Sequence, residues 1–70
     1  MFLILKNTDW KEEDYIKNNI VPFGWIEDNN RLIPRSEEIV ARVHTKEQRN
    51  FLLKKLNDKY VSHLRRHNYV

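Results

Sequence analysis

The most regular pattern of hydrophobic and polar positions lies in the last third of the chain, over residues 45–70. Thr45 and Gln48 have the spacing of a capping box, in which each side chain accepts a backbone N–H at the start of a helix. At 100° per residue the apolar side chains that follow fall in one arc: Leu52, Leu53, Leu56, Tyr60 and Leu64. The pattern predicts a long C-terminal helix with one buried side.

Residues 2–5 are apolar at every position. They lack the alternation of apolar and polar residues that is typical of a strand with one solvent-exposed face. Such a run is too short for a helix, so it predicts a strand covered on both faces, the central strand of a sheet. The alternative is that one face, carrying Leu3 and Leu5, stays open and docks a partner or a second copy of the chain.

A first helix is predicted after residues 7–9, with Asp9 as its N-cap and Glu12 at the third position. Glu12, Glu13 and Asp14 would occupy the first turn, where the helix dipole favours carboxylates. Trp10, Ile16 and Ile20 would form the inner stripe of a helix of about three turns, ended by Pro22. Consecutive carboxylates on a helix diverge, so the cluster does not predict a metal site.

Residues 22–27 are aromatic and favour a strand, residues 28–30 form a turn signal, and residues 31–33 are again apolar. Asn29 and Asn30 tolerate a positive φ, so the segment predicts a β-hairpin. Pro34 interrupts the returning strand, which indicates an edge strand or an early end of the strand.

Residues 37–45 admit two interpretations. Ser36 could cap a helix, but the β-branched residues and their alternation favour a strand, with Ile39, Ala41 and Val43 pointing inward. Val40, Arg42 and His44 would then point outward. The resulting fold class is α+β, a small three- or four-stranded, mainly antiparallel sheet with two helices, in the order strand, helix, strand, strand, optional strand, helix.

Seventy residues predict one domain over residues 1–70, near the lower size limit of an independent core. This marginal size also allows a homodimer. The chain has no cysteine, and its apolar start is too short for a signal or a membrane span, so we expect an intracellular, cytoplasmic protein without membrane contact.

No catalytic pattern is present, and the expected function is not enzymatic. Gly24 is the only glycine, which excludes glycine-rich phosphate loops, and Ser62 and His63 would diverge by about 100° on a helix. His63 and His67 have the i, i+4 spacing of two metal ligands, but only His44 or a carboxylate could complete a site. Their favoured role is at the core edge and the helix C-terminus, so neither metal nor cofactor is expected.

Charge is distributed unevenly along the chain. Residues 1–30 contain three lysines and six acidic residues, whereas residues 31–70 contain ten basic and four acidic residues. Along one edge of the apolar arc of the last helix lie the main candidates for phosphate contact, Lys55, Lys59 and Arg66. Lys54 and Arg65 on the far side of the helix, and Arg49 one turn before, would support them. Arg31, Arg35 and Arg42 could extend the patch.

The expected function is therefore nucleic-acid binding, to DNA or RNA, through the basic C-terminal helix. Trp25, Phe23 and Tyr69 are candidate stacking partners for bases, although Phe23 and Trp25 also suit the core. The alternative is a protein-binding inhibitor or adaptor that meets an acidic host-protein surface, possibly one of the nucleic-acid machinery. A short chain rich in Asn, Lys and Ile is similar in style to small phage- or virus-encoded proteins.

Overall fold

The structure is a computed structural model that describes residues 1–28 and 32–67, except the side chains of residues 63 and 65–67. Its elements confirm the α+β class: a three-stranded antiparallel sheet and two helices, ending with the long helix. They are β1 (Phe2–Asn7), α1 (Glu12–Asn18), β2 (Phe23–Glu27), β3 (Glu37–Val43) and α2 (Lys46–His67).

The central position predicted for the first strand is confirmed. β1 lies between β2 and β3 and pairs antiparallel with both. Leu3, Ile4 and Leu5 are all buried, and the Ile4 side chain is 0% exposed. The uninterrupted apolar run thus supplies buried side chains to both faces of the sheet. Leu3 and Leu5 are therefore not an exposed docking surface.

One face of the sheet packs against α2. Ile4 lies opposite Trp25 on β2 and Ala41 on β3, and residues opposite each other across a ladder share a face. The guanidinium of Arg49 on α2 lies over the Trp25 ring, and Tyr60 on α2 contacts Phe23 edge-on. The other face carries Leu3 and Leu5 with their cross-strand neighbours.

The predicted hairpin is wrong, because β2 pairs with β1 rather than with residues 31–33. Leu32 and Ile33 are not in a strand, Leu32 is 97% exposed, and Asn29, Asn30 and Arg31 lie outside the described residues. β2 ends beside the start of β1, whereas β3 begins beside its end. The connection therefore runs the length of the sheet and crosses β1, which a two-residue hairpin turn cannot do.

The strand interpretation of residues 37–45 is confirmed for β3, but the alternation is wrong at one residue. Ala41 lies opposite Ile4 and Ile39 lies opposite Leu5, so Val40 is an extra, unpaired residue in a β-bulge. The bulge turns Ile39 to the face opposite α2, whereas Ala41 and Val43 face the helix as expected.

The first helix begins later and is shorter than predicted. Asp9 is not the N-cap, because its N–H bonds to the Asn7 side chain in a turn that keeps the chain non-helical. Lys11 occupies the N-cap position, and the Asp14 carboxylate accepts its backbone N–H at 2.9 Å. The helix is seven residues long, and Asn19, with φ of 56°, ends it before Pro22 is reached.

The later start also changes the buried side of α1. Tyr15 is buried, while Ile16 and Ile20, which were predicted to point inward, are exposed. Tyr15 joins Val61 and Leu64 of α2 in a cluster that Trp10 and Tyr60 cover. The Trp10 indole N–H donates to the Ile20 carbonyl at 2.8 Å, which closes the loop around α1.

The predicted capping box of α2 is confirmed. The Thr45 hydroxyl accepts the Gln48 N–H at 3.1 Å, and the Gln48 side-chain oxygen accepts the backbone N–H groups of His44 and Thr45. The helix buries Leu64 as predicted and also Val61, which the predicted arc omitted.

The side chain of Asn57 links α2 to β2 through two hydrogen bonds. Its side-chain oxygen accepts the Phe23 N–H at 2.9 Å, and its amide nitrogen donates to the Phe23 carbonyl at 3.2 Å. One side chain thus satisfies both backbone groups of an edge-strand residue, as a neighbouring strand would.

Replacing Asn57→Ala is expected to lower the free energy of unfolding by about 2 kcal/mol, because two part-buried groups of Phe23 lose their partners. Urea denaturation followed by circular dichroism measures the change. Asn50→Ala is the matched control, since it brings the same gain in helix propensity and removes only the exposed hydrogen bonds that Arg49 donates to Asn50. If both variants are equally stable, the Asn57 hydrogen bonds contribute nothing to the fold.

Candidate functional site

The side of α2 that faces away from the sheet and α1 combines an aromatic ring with cations. Phe51, Lys55 and Lys59 follow one another at i, i+4 and i+8, and Lys54 lies one turn after Phe51 on the same side. All four side chains are exposed. We call these four residues the outer face of α2.

The lysines of the outer face are not neutralised by the carboxylates that the structure describes. Among the side chains that the structure describes, Lys17 pairs with Glu13 on α1 at 3.8 Å, whereas none of the three lysines lies within 4.0 Å of a carboxylate. Asp58 is four residues after Lys54, yet it forms no ion pair with it. The three lysines therefore present their charge to the solvent.

Phe51 is the aromatic residue that sequence reasoning missed. It is 69% exposed, and the Lys55 ammonium lies 5.7 Å from its ring centroid. The sequence does indicate the position of Phe51. Phe51 precedes Leu53 of the apolar arc by two residues, which is 200° around a helix, so it lies nearly opposite Leu53. The apolar arc indicates the buried side of the helix and carries no information on the residue opposite it.

Arg49 lies on the other side of the helix, against the sheet. Its guanidinium is 4.0 Å from the Trp25 ring centroid and 4.8 Å from that of Phe2, and it donates to the Asn50 side chain. Stacked between helix and sheet, it attaches the first turns of α2 to the strands. The structure therefore separates Arg49 from the lysines with which it was grouped.

The other candidate residues are dispersed. Arg42 lies opposite Leu3, on the sheet face away from α2, and so does not extend the outer face; Arg35 lies in the turn before β3. Phe23 is buried and therefore unavailable for stacking, whereas Trp25 is 41% exposed with Arg49 over its ring. Candidates outside the described side chains are Arg31, His63, Arg65, Arg66, His67 and Tyr69.

The sheet face opposite α2 contains a shallow groove of about 220 Å³, although Leu5 in its wall is itself 4% exposed. Leu5, Gly24 and Ile26 form part of its wall, with Asn7 and Glu37 as polar neighbours. Among the described residues, no three His, Asp or Glu side chains come together as a metal site would require. No described helix is both long and apolar enough to cross a membrane.

These features define a small α+β domain with a basic, aromatic-bearing surface on its last helix. No family model, curated protein or solved structure matches the chain. The case for a function therefore depends on the surface itself.

Proposed function

We propose that this protein binds nucleic acid, DNA or RNA, through the outer face of α2. The observation that carries the proposal is the exposure of Lys54, Lys55 and Lys59, none paired with a described carboxylate, around the exposed ring of Phe51. Cations displace condensed counterions when they meet phosphates, and this release favours binding.

The spacing of the lysines suits a chain of regularly spaced charges. Lys55 and Lys59 are four residues apart, which is about 6 Å along the helix axis. Lys54, one residue before Lys55, extends the basic surface around the helix. The long side chains adapt to small differences in phosphate position because their stems are flexible. The proposed activity is binding rather than catalysis.

The dependence of affinity on salt tests the proposal. Fluorescence anisotropy with a labelled oligonucleotide should give log K falling linearly with log [salt], with a slope of about −2 to −3 for three phosphate contacts. A steeper slope would indicate further contacts from the basic residues after Lys59. If no binding is detected at about 50 mM salt, where such contacts are strongest, the proposal fails.

The second candidate is a protein-binding inhibitor or adaptor, and the edge strand β3 favours it. Ile39 and Val40 are both about two-fifths exposed on this strand, which has no neighbour on its outer side among the described elements. Exposed apolar groups on an open strand edge suit a protein partner. Capture from lysate after nuclease treatment separates the candidates, because a complex bridged by nucleic acid is lost and a direct protein complex remains.

A further inference from the structure

We infer that the outer face of α2 selects single-stranded over double-stranded nucleic acid, because Phe51 stacks on an unpaired base. The inference rests on the proposed function and adds the form of the nucleic acid. It names Phe51 as the residue that determines this preference.

The ring contacts of the protein set Phe51 apart. Phe2 packs edge-on against Trp25 with centroids 5.3 Å apart, and Trp10 and Phe23 pack against Tyr60 at 6.4 and 5.2 Å. Among the described aromatic residues, Phe51 is the most exposed, and it has no such ring contact. Its ring is therefore available to a ligand, whereas the others hold the fold together.

The cations around Phe51 fit a base with its attached phosphate. Lys54 and Lys55 are three and four residues after Phe51, and the Lys55 ammonium is 5.7 Å from the ring centroid. A base stacked on the ring would bring its backbone phosphate toward these two ammonium groups. Aromatic platforms bordered by cations are the usual device of proteins that bind single strands.

A duplex cannot use this ring in the same way. Its internal bases are already stacked on both faces, so contact of Phe51 with one of them would require that base to be extruded at a cost of a few kcal/mol. A duplex would therefore bind through the lysines alone. Phe51 should therefore contribute to the affinity for a single strand but not to that for a duplex, whereas the lysines should contribute to both affinities.

The experiment compares the wild-type chain with Phe51→Leu and Phe51→Trp on a labelled 12-nucleotide single strand and a 12-base-pair duplex at equal salt. Leucine keeps an apolar side chain of similar size but removes the ring. We expect Phe51→Leu to weaken single-strand binding about 5- to 100-fold and to change duplex binding less than about twofold. Phe51→Trp should retain single-strand binding. Oligo-dT and oligo-U arms distinguish DNA from RNA.

Two results would overturn the inference while leaving the proposed function in place: equal affinity for both forms, or equal loss of both in Phe51→Leu. Absence of binding to every oligonucleotide would remove the proposed function and the inference with it. Circular dichroism confirms folding of the variants, which is expected because the Phe51 side chain is exposed.

Discussion

The double variant Lys55→Glu/Lys59→Glu is expected to bind nucleic acid about a hundredfold more weakly than the wild type at about 50 mM salt. Two attractive contacts become repulsive at the centre of the outer face. The slope of log K against log [salt] should also become shallower by about 1.5 to 2, because two counterion-releasing contacts are lost. Anisotropy titrations over a range of salt concentrations measure both quantities.

The matched control is Lys11→Glu/Lys17→Glu. Each lysine-to-glutamate change removes two units of positive charge, so both double variants lower the formal net charge from +3 to −1. Lys11 and Lys17 are exposed near the two ends of α1, and α1 packs against the buried side of α2. The control therefore changes the total charge without touching the outer face.

A large loss in the first double variant and a small one in the control would locate the interface on α2. Similar losses in both would mean that net charge alone governs binding, and the outer face would lose its special role. Both variants should remain folded, because the replaced side chains are exposed and the Lys17–Glu13 pair is a weak surface contact.

Local signals in the sequence predicted α2 and β3, but they misplaced the start and the buried side of α1. The Thr45–Gln48 capping box fixed the start of α2, because its reciprocal hydrogen bonds involve residues only three positions apart. The alternation after Glu38 identified β3, although the bulge at Val40 reversed the face of Ile39. A bulge depends on the partner strand, so a single strand's pattern does not reveal it.

The sequence predicted the central position of β1 but not the partner of β2. The turn signal at residues 28–30 favoured a local hairpin, but β1 pairs with both β2 and β3. The fully apolar β1 gains burial on both faces only as the central strand, and this non-local requirement prevails over the local turn propensity. Ile4 is buried because β1 pairs on both of its edges.

The candidate site was predicted in part. Lys54, Lys55 and Lys59 are exposed on the last helix, as the wheel indicated, and their role in binding remains a prediction. Arg49 could not be separated from them by sequence, since its stacking on Trp25 depends on how α2 crosses the sheet. The same crossing leaves Phe51 uncovered.

Ile4→Ala is expected to lower the free energy of unfolding by about 3–4 kcal/mol, a large share of the roughly 4–10 kcal/mol available to a domain of this size. Ile4 is 0% exposed on the central strand, where the sheet packs against α2. Truncation there removes apolar burial and leaves a cavity that two flanking strands prevent from closing. Urea denaturation followed by circular dichroism should show a much lower midpoint or an unfolded chain.

Ile39→Ala is the matched control, since it removes the same atoms from a side chain that is 41% exposed on the edge strand β3. Its expected cost is about 1–1.5 kcal/mol, because the side chain is only partly buried and the edge position leaves no closed cavity. Ile4→Val, which removes one methylene, should cost about 1 kcal/mol and so keep the protein folded if Ile4→Ala does not. Equal stability of Ile4→Ala and Ile39→Ala would contradict a fold centred on β1, because the central and edge positions would then contribute alike.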